Sequence, residues 1–335
     1  RWTAEITMPQ QSAFEYLSHG QTPFFRLPTV PFTTPDRAER YRGVDIVFLG
    51  VPYDGGTTYL PGARLGPYHI RRVSALVQTF HPGHRIDVFD RINAVDGGNA
   101  AVSPFDAEME RRSVNAEVSG VVASDAAPFL VGGDHTITLP ALRAVAAKYG
   151  PVAVVHVDAH LDTSSPEVWG EPFHHGTPLR HALTEGLIAE GQLYQIGIRG
   201  AWGGGDDSAL SEEHGARIIS ADVVETQGID VIMAEIRQRI GTRPVYITFD
   251  IDGVDPAFAP GTGTPVPGGL SSREALRLIR ALAGIHLVGM DLVEVAPNLD
   301  HADITCHLAA HLLFEGAALV ALRAGAPSAG DPDKT

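Results

Sequence analysis

The run Val152-Ala153-Val154-Val155-His156-Val157 is apolar and β-branched, and it breaks off into Asp158, His160 and Asp162. A short continuous run of this kind suits a strand buried on both faces of a parallel sheet. Open α/β sheets place their ligands beyond the carboxyl ends of such strands. In an extended chain residues i, i+2 and i+4 point to one face, so the three polar side chains are expected to converge where the strand leaves the sheet. The layout recurs at Val245-Tyr246-Ile247-Thr248-Phe249, which ends in Asp250 and Asp252, and Pro128-Phe129-Leu130-Val131 runs into Gly132-Gly133-Asp134-His135. Taken singly, a D-x-D at a strand end is more often a solvated turn or a helix cap. Together the three ends bring four carboxylates and two imidazoles to one place. Clustered buried carboxylates repel one another and are costly to desolvate unless a cation compensates them. The pattern predicts a two-metal hydrolytic centre.

The rest of the chain sets limits on that reading. Its 335 residues, 44% hydrophobic, suffice for one large core. Apolar strands alternate with helical patterns and no linker intervenes, which favours a single α/β domain over two. A formal charge of −15 argues against a nucleic-acid partner, which needs a basic face. The single cysteine, Cys306, excludes an intrachain disulfide and fits a reducing, cytoplasmic setting. No stretch approaches the roughly 18 uninterrupted apolar residues of a membrane span, and no membrane partner is expected.

Residues 1–45 hold Pro9, Pro23, Pro28, Pro31 and Pro35 among aromatics such as Phe14, Tyr16, Phe24, Phe25 and Phe32. That is too proline-rich for a core element and too aromatic for a free linker, so it reads as an extension lying on its own or a neighbouring subunit. The catalytic domain is then expected over 46–323, with a Gly/Pro/Asp-rich tail at 324–335. Asp45–Gly50, Pro128–Gly133 and Leu287–Val293 read as strands, and Ile86–Asp90 as a short one. Leu65–Phe80, a stretch around 106–122 and Leu139–Tyr149 read as helices.

The motifs G-G-D-H (132–135), D-A-H-x-D (158–162) and D-I-D-x-x-D-P-A-x-A-P-G-T-G-T-P (250–265) resemble those of the ureohydrolase family, the arginases and agmatinases. The segments P-Y-D-G-G-T (52–57), L-P-G-A-R-L-G-P (60–67) and G-M-D-L-V-E-V-A-P (289–297) follow in the family's order. The similarity spans about residues 46–322. The stretch H-H-G-T-P-L-R-H (174–181) resembles the branch acting on guanidino acids, which includes guanidinobutyrase and proclavaminate amidinohydrolase.

The resemblance implies a three-layer α/β/α arginase-like fold with a mainly parallel sheet. It also implies hydrolysis of the guanidino C–N bond of a small linear guanidino compound to urea and an amine. His135, Asp158, Asp162 and Asp250 would hold one divalent ion, and Asp158, His160, Asp250 and Asp252 the other, with Asp158 and Asp250 shared. Carboxylate oxygens and imidazoles suit Mn²⁺ and also admit Ni²⁺, and such a pair lowers the pKa of a shared water. By the same resemblance Asp162 orients the attacking water, Glu294 grips the guanidinium, and His175, rather than its neighbour His174, relays a proton to the leaving amine. The family forms trimers or hexamers, so a homo-oligomer is expected, with a hetero-oligomer as the alternative.

Two positions depart from the family pattern. Asn99 stands where an acidic residue is frequent, and Leu161 where a polar one is common. Leu161 is expected to point away from the metal face. Substrate choice stays open at this level. Agmatine would need an acid for its ammonium (Asp206, Asp300 or Asp303), and a guanidino acid would need Arg180 or Arg199. Trp169 and Trp202 could wall an apolar tail, so an N-alkylated guanidine or a biguanide is a further alternative. An assembly subunit of a heteromeric ureohydrolase should lack a ligand, and none of the six is missing.

Overall fold

The computed structural model describes residues 23–30, 36–204 and 207–324. Eight strands form one sheet: β1 (Ile46–Val51), β2 (Ala94–Asn99), β3 (Ala127–Gly132), β4 (Val152–Val157), β5 (Ile188–Ile198), β6 (Arg217–Ser220), β7 (Pro244–Asp250) and β8 (His286–Val293). Their order is β2-β1-β3-β8-β7-β4-β5-β6, and every pairing is parallel. The strands that end in the predicted ligands, β3, β7 and β4, therefore lie together at the centre with β8 among them. Their carboxyl ends share one edge.

Side-chain alternation sorts the core into two faces. Ala153, Val155 and Val157 of β4, with Val245, Ile247 and Phe249 of β7, pack into one cluster with α1 (Gly66–Ser74), α4 (Ile229–Ile240), α5 (Ser272–Arg280) and α6 (Ile304–Ala324). Val152, Val154 and Tyr246 face the other way, against α2 (Ala107–Ala123) and α3 (Thr138–Tyr149). This is the three-layer α/β/α arrangement. Each valine fully buried in it contributes about 1.5–3 kcal/mol of transfer free energy.

Several local expectations need correction. The helix expected over Leu65–Phe80 ends at Ser74, because Leu76 and Val77 close turns onto Val73 and Ser74. Phe80–His81 then pairs antiparallel with Ile86–Asp87, and the rest of the expected strand Ile86–Asp90 falls in a helical turn, Val88–Arg91. The strand β2 at the sheet edge is hidden in the sequence by Asp96-Gly97-Gly98, since glycines blur the strand pattern. The helix α6 is long and apolar enough to cross a membrane, yet 78% of its most apolar window is buried inside the protein, where it packs on α1, α5 and β8.

Part of the expected N-terminal extension belongs to this core. Phe24 and Phe25 are fully buried, with ring centroids 5.9 and 5.1 Å from Phe48. The Phe24 amide donates to Asp96 Oδ2 at 2.9 Å, and Thr29 bridges to Asp96 beside β2. Pro9, Phe14, Tyr16, Pro31, Phe32 and Pro35, and the tail beyond Ala324, lie outside the described residues.

Candidate metal centre

The residues after β3 make a tight turn. The Gly133 amide donates to the Val51 carbonyl and that of Asp134 to the Tyr53 carbonyl. A Cβ at Gly133 would collide with both carbonyl oxygens, so only glycine fits. Asp134 caps the turn by accepting from the Thr136 amide at 3.0 Å and also holds the Gly56 amide at 2.7 Å. Burial, and then the charge of Glu294, push its carboxyl up to about 6. His135 emerges from this turn toward the ends of β4 and β7.

The aspartates are aimed by their own backbones. Asp158 Oδ1 accepts from the His160 amide at 2.6 Å, Asp250 Oδ1 from the Asp252 amide at 2.8 Å, and Asp252 Oδ1 from the Ala159 amide at 3.1 Å. Short turns of this kind fix the orientation of the carboxylate through one of its oxygens. His135 Nδ1 lies 2.7 Å from Asp162 Oδ2, 3.3 Å from Asp158 Oδ2 and 3.3 Å from Asp250 Oδ2. His160 Nδ1 lies 3.1 Å from Asp252 Oδ2 and 3.3 Å from Asp158 Oδ1. Asp158 thus faces both imidazoles, one with each oxygen. All six residues predicted as ligands meet at this edge, which gives a buried His/Asp cluster suited to a binuclear metal site.

The way they meet differs from the expectation in one respect. The strand stops at Val157, and Asp162 has φ of +55°, so Asp158–Asp162 is a folded turn, not an extended run with alternating sides. Glu294, the first residue beyond β8, has φ of +64°. Left-handed backbone at non-glycine residues costs of order 1–3 kcal/mol and persists where the surroundings fix it. Here the Asp162 carbonyl takes the amides of Leu179 and Arg180, and the Glu294 amide donates to the Gly133 carbonyl.

Two residues that the sequence reading passed over hold the ligands in place. Thr248 donates to Asp291 Oδ1 at 2.6 Å and lies 2.8 Å from His135 Nε2. Its hydroxyl hydrogen is committed to Asp291, so it accepts from His135 Nε2–H, which makes Nδ1 the nitrogen turned toward the carboxylates and the one available to a metal. Asp291, left unassigned by the sequence, also accepts from Thr138 and Tyr246, each at 2.8 Å. His156 is fully buried, with Nε2 2.8 Å from Asp158 Oδ2 and Nδ1 facing the Gln195 amide at 3.4 Å. That amide also donates to the Leu161 carbonyl at 2.7 Å, so His156 donates to Asp158 and orients it. The signal for both was available: each is a polar residue two positions before a ligand aspartate, on the same side of an otherwise apolar strand.

The electrostatics call for cations. His135 Nδ1 is buried and makes no hydrogen bond of acceptable geometry, although three carboxylate oxygens surround it. Burial, reinforced by Asp252 and Asp158, pushes the Asp250 carboxyl well up, and burial with Asp158 raises Asp252. Asp252 lifts the His160 imidazole to about 12 against the opposing effect of burial. Burial opposes charge on His135 too, but Asp162 and the other carboxylates outweigh it and move its pKa well up. The cluster holds protons where dications would compensate the same charge. An imidazole nitrogen aimed among hard oxygens, able to exchange its proton for a metal, is a metal-ligand arrangement, and the residues present fit a divalent pair.

Beyond the cluster opens a cavity of about 810 Å³, lined by His160, Asp162 and His175 at its floor and by Trp169 and Trp202 higher up. Both tryptophans are exposed. His175 places Nδ1 3.0 Å from Glu294 Oε1 and Nε2 2.7 Å from Thr58 Oγ1. Burial works against its charge, but Glu294 outweighs this and lifts it to about 9. His174 instead accepts from the Gly176 amide, and burial lowers its pKa. Glu294 is only 1% exposed, and its Oε1 also accepts from the His135 amide at 2.9 Å. Leu161 is buried and belongs to the lining of the cavity.

The proposed tail receptors sort themselves by geometry. Asp300 caps the start of α6 through the amides of Thr305 and Cys306, and Asp303 pairs with Arg72 at 2.7 Å. Neither lines the cavity, and Asp206 lies outside the described residues. Arg199 spends all three guanidinium nitrogens on backbone carbonyls, among them those of Gly197, Asp252 and Val266. Arg180 lines the cavity and donates from Nη1 to the Thr163 carbonyl at 3.1 Å. The whole segment Asn298–Asp303 stays away from the cavity.

Comparison with known proteins gives a consistent picture. The arginase family model matches residues 44–318. Proclavaminate amidinohydrolase of Streptomyces clavuligerus is 45% identical over 302 residues, which cover 89% of this chain and 94% of that protein. Its solved structure superimposes with a TM-score of 0.84, covering 90% of this chain and 97% of the other at 44% identity. Mitochondrial agmatinase of Gallus gallus is 44% identical over 82% of this chain and 80% of its own length. Guanidinopropionase of Pseudomonas aeruginosa is 41% identical, covering 90% and 92% respectively. The chain belongs to the arginase family and is a metal-dependent hydrolase acting on guanidino C–N bonds.

Proposed function

We propose that the protein binds two divalent ions, Mn²⁺ first and Ni²⁺ as the alternative, and releases urea and an amine from a small guanidino compound. The observation that carries this reading is His135 Nδ1, buried and facing the carboxylates of Asp158, Asp162 and Asp250 with no hydrogen-bond partner among the described residues. His135, Asp158, Asp162 and Asp250 hold one ion, and Asp158, His160, Asp250 and Asp252 the other. When bound, the pair supplies Lewis acidity and a water acidified toward neutral pH.

The remaining steps fall to the side chains. Asp162 accepts a hydrogen bond from the attacking water and so orients it toward the guanidino carbon. Glu294 holds the planar cation, since its Oε2 accepts no hydrogen bond among the described residues while Oε1 is fixed by His135 and His175. Water adds to the guanidino carbon, the C–N bond breaks, and the amine takes a proton as it departs. His175 delivers that proton, because it reaches the cavity and its charged form is favoured by Glu294. The buried Leu161 beside the floor leaves an N-alkylated guanidine or a biguanide as the second reading.

His175→Asn is expected to keep both metals and to lower kcat about a hundredfold or more. Metal analysis beside single-turnover rates checks this, and a defect confined to metal loss would make the histidine structural. For assembly we propose a homotrimer or hexamer, with a hetero-oligomer as the alternative. A monomer by light scattering would contradict both. The activity itself is tested by urea release from a panel of guanidines.

A further inference from the structure

The cavity wall carries a cation that the chemistry at the floor does not use. Among the described residues two arginines line the cavity, and Arg199 is consumed by backbone carbonyls on all three nitrogens. Arg180 is half-buried, and among the described residues it has no acidic partner and one side-chain hydrogen bond, Nη1 to the Thr163 carbonyl at 3.1 Å. Its own amide donates to the Asp162 carbonyl at 3.2 Å. The guanidinium is thus held at the wall just beyond the turn that carries the metal-facing Asp162, with Nε and Nη2 left to donate.

A half-buried guanidinium with unused donors in a forked array matches a carboxylate in bidentate fashion. It also repels an ammonium. Among the described residues, the acids that line the cavity away from the floor are Asp207 and Glu213; both are exposed, and Asp207 Oδ2 already accepts the Gly203 amide at 2.6 Å. Among the described residues, the wall's half-buried charge is therefore that of Arg180, and its acids are exposed. Resting on the guanidine-hydrolase reading above, we propose that Arg180 receives the substrate's carboxylate, which makes guanidino carboxylic acids the substrate class and agmatine a poor alternative.

The test uses the metal-loaded full chain with three substrates of matched guanidine: 4-guanidinobutanoate, its primary amide, and agmatine. The wild type is expected to show higher kcat/KM on the acid than on the amide or agmatine. Arg180→Gln is expected to cut the acid-to-amide ratio of kcat/KM about tenfold or more, chiefly through KM. Arg180→Lys, which keeps the charge and loses the fork, should fall between. Equal turnover of acid, amide and agmatine by the wild type would overturn the proposal, and so would an Arg180→Gln defect of the same size on all three, which marks a brace for the Thr163 loop. Urea from none of the three would sink the guanidine reading first, a result distinct from loss of acid preference alone.

Discussion

Asp158→Asn is expected to bring urea release below about one hundredth of wild type and to lower the metal content of the purified protein. Loss of a group that merely supports a ligand costs about 10–100-fold in affinity or activity, and Asp158 does more than support. Its Oδ2 faces His135 and its Oδ1 faces His160, each at 3.3 Å. His156 donates to Oδ2 as well, at 2.8 Å, so an asparagine amide placed there would set donor against donor. Asparagine also removes one of the anions that offset four positive charges on two dications. Metal content by mass spectrometry and urea release should fall together. Retention of both ions with near-normal turnover would show that Asp158 is not shared between them.

Glu294→Gln is expected to keep the metals and to lose about a hundredfold or more of kcat/KM on every guanidine tested. A hydrogen bond to a charged group is worth about 1.5–3 kcal/mol, and here one side chain serves several partners. Its Oε1 accepts from the His135 amide and from His175 Nδ1, and its charge sustains the raised pKa of His175. The amide preserves shape but removes the anion that pairs with the guanidinium, and it weakens the charged form of the proton donor. For the free enzyme the sign is clear. His175 is charged below about 9 in the presence of Glu294, so Glu294→Gln should move that ionisation downward, and proton delivery should then fail at lower pH. Full activity of Glu294→Gln would mean that the reacting group is neutral, and the guanidine assignment would go with it.

Much of this site is legible in the sequence because ligands sit where parallel strands end. The apolar runs before Asp158 and Asp250, and the glycines before His135, mark three strand ends, and a parallel sheet puts all such ends on one edge. The motif order carries the rest of the ligand set. What escaped detection is what depends on packing. The edge strand Ala94–Asn99 is masked by its glycines, and Phe24 and Phe25 sit in a proline-rich stretch with no periodicity. His156 and Thr248 looked like parts of apolar runs, although their place two residues before Asp158 and Asp250 gives them the same face. The folded turn over Asp158–Asp162, with its left-handed Asp162, is something strand alternation does not foresee. Arg199 and Arg180 are equivalent as letters. Only the three carbonyl-bound nitrogens of Arg199 separate a structural arginine from one with donors to spare.

The central claim is that one buried His/Asp cluster holds a dication pair that this chain uses to hydrolyse guanidines. It is tested most directly by urea formation from guanidino substrates during metal titration of stripped protein. Each site is built from residues that also face the other, as Asp158 is, so activity should be absent in the stripped protein and saturate near two Mn²⁺ or Ni²⁺ per chain. Urea and amine should form in equal amounts. Turnover that survives complete stripping, or saturation with no urea from any guanidine, would contradict the account.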